Sequence, residues 1–298
     1  MKMQGVVLLS ALLVIAASAF KMIDIIDAGK AALQSSFRGV FVLWGVASAV
    51  IIPLTMYRQA YSFCVGYGFS VMAMGLVILK VLQPTAPVPF TMVATTIFYG
   101  FRLGSFLALR SVIVAGKAER IKSCDVTPRR KRIPLALCVA LFYAIMTLPV
   151  LYACRSGPLE GIPHVIATAG AVVAVLGAVM EAIADSHKFL VRRQRSSSGS
   201  GEEDNFVGPT GGVYQICRHP NYLGELLFWG GLFFGGAPTF GMSVIAWVAS
   251  TFGLFVMYHI IKLVSQRFDR MQFTKYKGQE KYDTWRTSVT GPLFPFLQ

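Results

Sequence analysis

The residues best equipped for chemistry stand in one short run, Arg218-His219-Pro220-Asn221-Tyr222-Leu223-Gly224-Glu225, at the start of an apolar stretch. Pro220 suits the first turn of a helix, where its missing N–H has no partner to lose. The helix it opens presents free N–H groups and the positive end of its dipole, with Arg218 and His219 beside them. That combination makes a seat for a phosphate or a carboxylate. Asn221 can bond an amide or a ribose hydroxyl. Gly224 lets a flat ring approach the backbone. Glu225 carries a carboxylate into apolar surroundings, where a charge is costly and by default functional. Anchoring at lipid headgroups accounts for Arg218 and His219. It does not account for Asn221 and Glu225 one turn apart on the same helix.

A second set lies upstream. Glu181, Asp185, Lys188 and Arg192 are four, three and four residues apart, on one helical face at the end of another apolar run. A solubilising stripe at the interface has the same spacing. A site shared with Arg218 is favoured because both sets fall on the same side of the membrane. No metal is expected, since His164, His187, His219 and His259 are scattered and no Cys pair has ligand spacing. There is no glycine-rich phosphate loop after a strand and no GxSxG elbow.

The scaffold for these groups is lipid-embedded helix. The 298 residues are 55% hydrophobic and only 14% charged, with a mean hydropathy of +0.59. That excludes an ordinary soluble domain and a disordered chain. Five cysteines are too few for a disulfide scaffold. Apolar runs of spanning length occur near Met3–Phe20, Gly39–Met56, Tyr61–Leu82, Val88–Leu109, Ile133–Cys154, Gly161–Ala184, Tyr222–Phe240 and Ser243–Leu263. They are continuously apolar rather than alternating, which argues against a barrel. The expected fold is all-α, a polytopic transmembrane bundle of about seven or eight helices. Lys2 and Ala17-Ser18-Ala19 give the first run some features of a signal peptide, and it is read as an uncleaved helix. Ser196–Asp204 reads as a flexible Ser/Gly/acid-rich linker.

The net charge of +14 lies mostly in three segments, around residues 110–132, 188–218 and 267–286. Two spans separate each from the next, so all three fall on one face, which the positive-inside rule assigns to the cytosol. The expected setting is a multi-pass protein of the endoplasmic reticulum or another endomembrane. Nucleic acid is not an expected partner, because the cations sit in short juxtamembrane loops.

The run Arg218 to Glu225 resembles the signature of the steroid 5-alpha-reductase C-terminal-domain-like membrane proteins, a superfamily shared with sterol reductases and isoprenylcysteine carboxyl methyltransferases. Glu181-Ala182-Ile183-Ala184-Asp185 resembles the motif on the helix before it. Tyr99-Gly100-Phe101-Arg102-Leu103-Gly104 is similar to an upstream segment, and Tyr282-x-x-Trp285-Arg286-x-Ser288 with Pro292 and Pro295 to the carboxyl end. The resemblance spans residues 88–298, which leaves 1–87 as a block of amino-terminal transmembrane helices. It implies NADPH held by Glu181, Asp185, Arg192, Arg218, Asn221, Tyr222 and Glu225, and reduction of a carbon–carbon double bond in a sterol-like or other lipid substrate. The steroid reductases polarise the substrate carbonyl with an acid and a tyrosine in their amino-terminal helices. No acid of this chain's first half lies clearly inside a helix, so Tyr99, with Arg102 on its face, is the candidate proton donor. An interface anchor pair is the other reading of these two. The same core motif occurs in membrane methyltransferases that bind S-adenosylmethionine. The Glu181/Asp185 stripe and Glu225 favour the reductase side, and a non-catalytic lipid-binding role remains the third reading.

Overall fold

The computed structural model describes residues 30–114, 116–197, 205–289 and 291–294. The run Met3–Phe20 and most of the linker Ser196–Asp204 lie outside the described residues. The described chain is helical throughout, with no strand among the described residues: α1 Lys30–Gln34, α2 Ser36–Tyr57, α3 Val65–Leu82, α4 Pro87–Ile113, α5 Lys117–Ser123, α6 Ile133–Arg155, α7 Gly161–Ser197, α8 Pro220–Gly236, α9 Val244–Tyr276 and α10 Glu280–Ser288.

Among the described residues six helices, α2, α3, α4, α6, α7 and α9, are long and apolar enough to cross a membrane. The protein is a multi-pass integral membrane protein. Stripes of exposed apolar side chains fit a lipid solvent: Ile162, Val165, Val172, Leu176, Val179 and Ile183 on α7, and Val244, Val248, Phe252 and Phe255 on α9. Their three- and four-residue spacing puts each set on one helical face. The seventh expected run, Tyr222–Phe240, becomes a helix of 17 residues, about 26 Å against a hydrocarbon core of about 30 Å. It stops at Gly235-Gly236, and Ala237–Thr239 continue it as a single 3-10 turn. Two helices outrun their apolar runs. The 37 residues of α7 span about 55 Å and the 33 of α9 about 50 Å, so their polar ends stand clear of the bilayer core.

The described residues form two compact units. The first takes the residues through Ala171 and Leu232–Gly253. Its core is α2, α3, α4 and α6. Prolines start two of these helices, Pro87 in α4 and Pro134 in α6. In the crossing of α3 with α4, a Cβ on Gly68 would lie 2.3 Å from Gly104 N, and one on Gly100 would lie 2.4 Å from Met72 N. The backbones therefore touch, the close approach that small residues four apart permit in lipid. Trp44 Nε1 on α2 donates to Leu137 O on α6 at 2.9 Å.

The second unit comprises Val172–Gly231 and the described residues from Leu254 on. Its core is aromatic: Tyr214, Tyr282 and Trp285, with Ala184 and Val289, are buried, and Phe206, Val213 and Tyr276 pack against them. It contains all seven residues assigned above to a cofactor.

Candidate functional site

Within the second unit, the late part of α7 and the first turn of α8 meet at two glycines. A Cβ on Gly177 would lie 2.4 Å from Phe228 N, and one on Gly224 would lie 2.6 Å from Glu181 N. Only glycine admits this backbone-on-backbone crossing. It sets Glu181, which is 4% exposed, directly against the turn that carries Asn221 and Glu225. Asn221 and Glu225 are half-buried. The side-chain oxygen of Asn221 is buried and accepts no hydrogen bond from the protein, an acceptor whose desolvation is uncompensated by the fold.

Tyr214 fastens the rest of the acidic face to this turn. Its hydroxyl donates to Ala184 O of α7 at 3.1 Å, and its carbonyl accepts from Trp285 Nε1 at 3.1 Å. Burial pushes its phenol pKa up, and Asp185, Arg192, Cys217 and Tyr222 are the titratable groups near it. Asp185 of α7 and Tyr222 of α8 thus share one neighbourhood. Exposure rises along the α7 face: Glu181 is buried, Asp185 and Lys188 are half-buried, and Arg192 is exposed. Tyr222 stacks near Phe268 of α9, with centroids 6.3 Å apart.

Arg218 departs from its expected role. It was assigned to an anionic ligand, but its fork is turned to protein. Nε donates to Asp269 Oδ1 at 2.7 Å, Nη2 to Asp269 Oδ2 at 3.2 Å and Nη1 to Val289 O at 2.7 Å. Arg286 clasps the same carboxylate from the other side, at 3.0 Å to each oxygen. Asp269 is therefore the hub of a bidentate pair of ion pairs, the strongest geometry available to guanidinium and carboxylate. The sequence reading missed it, because a lone acid among Arg267, Arg270 and Lys275 looks like part of a cationic stretch. The backbone continues the clasp: Arg218 N donates to Gly291 O at 3.0 Å and His219 N to Pro292 O at 2.9 Å. A cleft of about 690 Å³ opens beside the hub, lined by Gln266, Arg270, Phe273, Arg286 and Thr287.

His219 is 1% exposed. Burial, reinforced by the positive charge of Lys188, holds its imidazole well below the usual range, at about 3. Its Nε2 stands 3.9 Å from Asp269 Oδ1, beyond hydrogen-bond reach. The unfolded chain takes up this proton near 6.5 and the folded chain only near 3. Stability is thus complete above the higher value and declines as pH falls between the two. Melting curves in detergent should show the midpoint falling as pH drops from about 6 to 4, above most carboxylate titration. A His219→Gln variant should lack that slope, and an unchanged slope would mean the histidine is not held neutral.

Tyr99 and Arg102 belong to the first unit. Tyr99 is fully buried, its hydroxyl 3.3 Å from that of Tyr67, and Tyr67 stacks on Tyr143 at 4.8 Å. The guanidinium carbon of Arg102 lies 5.5 Å from the Tyr99 ring centre, a cation–π contact. The expected face-sharing of these two residues is present, inside a cluster of phenols. Among the described residues, no three His, Cys, Asp or Glu side chains gather as metal ligands.

No curated protein and no solved structure matches the chain. Residues 50–289 match a protein family whose description is "protein of unknown function (DUF1295)". With 240 of the 298 residues inside that match, and with the Glu181, Asn221 and Glu225 cluster lying wholly within it, the chain belongs to the DUF1295 family.

Proposed function

We propose that the second unit binds NADPH and that the protein reduces an activated carbon–carbon double bond of a sterol-like or other lipid. The observation that carries this reading is the buried, unpartnered side-chain oxygen of Asn221. It stands in the turn that the Gly177/Gly224 crossing presses against the buried carboxylate of Glu181. A fold retains such an acceptor when a ligand donor completes it, and the carboxamide and ribose hydroxyls of a nicotinamide nucleotide are donors of that kind. Glu181, Asp185 and Glu225 would fix further hydroxyls. Arg192, exposed at the far end of the α7 face, would meet phosphate; Arg218 would act through its clasp on Asp269. NADPH would supply the hydride. The chain's own share is to orient that cofactor and to keep water out with apolar helices.

Calorimetric titration of purified protein with NADPH and with S-adenosylmethionine tests the proposal. Asn221→Ala is expected to weaken NADPH binding about tenfold, the worth of one hydrogen bond in a dry site. Glu225→Ala should weaken it comparably, with the melting temperature of both variants near wild type. Tight binding of S-adenosylmethionine with none of NADPH would establish the methyltransferase reading instead, and binding of neither would leave a lipid-binding role.

A further inference from the structure

A cleft of about 240 Å³ lies in the first unit, between the last turn of α2, the last turn of α4 and the short helix α5. Its walls are Tyr57, Arg58, Tyr61, Ser111, Glu119 and Lys122. Two spanning helices end here, so the cleft sits at headgroup depth. It is also at the start of the most basic connection in the chain. Residues 110–132 carry Arg110, Lys117, Arg120, Lys122, Arg129, Arg130, Lys131 and Arg132 against only Glu119 and Asp125.

This connection is built rather than loose. Asp125 takes Arg58 Nη1 at 2.9 Å and Arg132 Nη1 at 3.2 Å, and accepts from Gln59 N at 2.8 Å. Gln59 Oε1 in turn accepts from Thr127 N at 3.1 Å. Arg132, 5% exposed, donates to Thr127 O at 2.7 Å and Thr55 O at 3.3 Å. On α5, Ile121 is buried while Glu119, Arg120 and Lys122 are exposed. The helix thus packs one side on the unit and holds charge over the cleft. Next to it Val112, Ile113 and Val114 are 39, 49 and 37% exposed. Exposed aliphatic groups beside a cation-lined cleft fit an amphiphile rather than a soluble anion.

We propose that this cleft binds the headgroup of phosphatidylserine in the leaflet that faces the basic loops, independently of any reaction at the second unit. The volume is below the roughly 300 Å³ at which pockets enclose a whole ligand, so it takes a headgroup and leaves the acyl chains against Val112 and Ile113. The Lys122 ammonium, the Arg58 guanidinium and the Tyr57 hydroxyl meet the phosphate and the serine carboxylate. Glu119 meets the serine ammonium, which selects this headgroup over phosphatidylglycerol. Orientation by the positive-inside rule places the cleft on the leaflet where anionic serine lipid is abundant.

The test uses the whole protein in a neutral detergent, titrated with short-chain phosphatidylserine, phosphatidylglycerol and phosphatidylcholine, and with free O-phosphoserine. Wild type should prefer phosphatidylserine to phosphatidylcholine by about tenfold. Lys122→Gln should weaken phosphatidylserine roughly fivefold, the share of one cation at an anionic surface. Glu119→Gln should erase the preference for phosphatidylserine over phosphatidylglycerol. Both residues are exposed, so melting temperatures should hold. Equal affinities in wild type and both variants would overturn the proposal. So would O-phosphoserine binding as tightly as the lipid, which would mark a site for a soluble ligand.

Discussion

Asp269→Ala is expected to destabilise the second unit by about 3–5 kcal/mol, the cost of removing one partner from a buried ion pair. The substitution takes the shared carboxylate from two cations at once. Arg218, 6% exposed, keeps only the Val289 carbonyl among the partners described above, and Arg286, whose side chain is 27% exposed, swings toward water. The loss should come mostly from Arg218, because an exposed guanidinium is resolvated and a buried one is not. Thermal unfolding in detergent, followed by the fluorescence of Trp285 near the hub, reads the effect. A double variant, Arg218→Met with Asp269→Leu, should recover a substantial part of the loss, since an apolar pair of similar volume carries no buried charge. If Asp269→Ala melts within a degree or two of wild type, the hub does not hold the unit together. If the double variant is no better than the single one, damage to packing rather than a stranded charge is the cause.

Gly224→Ala is the second large effect. The new methyl would sit 2.6 Å from Glu181 N, 2.7 Å from Gly177 O and 2.9 Å from Glu181 Cβ. Two of these are backbone atoms, which cannot rotate away, so α7 and α8 must separate. Overpacking of this kind costs about 1–3 kcal/mol, and the upper end is expected. The separation also draws Glu181 away from Asn221, so the NADPH affinity proposed for this unit should fall further than stability alone explains. Gly230 on the same helix is the control. Nothing lies within 4 Å of its added Cβ, so Gly230→Ala should be neutral or stabilising by about 0.5–1 kcal/mol. Similar behaviour of the two variants in melting and titration would dismiss the crossing as the device that builds the site.

The two variants also mark what was legible in the chain. The spans of α2, α3, α4, α6, α7 and α9 were readable because a bilayer core demands a continuous apolar run, a signal that needs no partner. The shortness of α8 was not, because Phe233 and Phe234 before the Gly235-Gly236 stop and Phe240 after it keep the hydropathy high across it. Gly177 carries no mark of its own in a run of alanine and valine; its meaning lies in what crosses it. Asp269 was hidden by its neighbours, since a count of charges for orientation treats Arg267, Asp269 and Arg270 as one basic patch. Local pattern reports burial, whereas pairing across 51 residues, as between Arg218 and Asp269, leaves no periodic trace.

The partners of the Arg218 motif also impose an order in time. Asp269 follows Arg218 by 51 residues and Val289 by 71. At the usual pace of synthesis the second interval is roughly 4–14 s. For the first 51 residues of that wait Arg218 has neither the carboxylate nor the carbonyl that later enclose it, and for the remaining 20 it still lacks the carbonyl. The turn that follows Arg218 is thus anchored in full only after the chain through Val289 has been made, so the second unit closes from its late residues back onto its early ones.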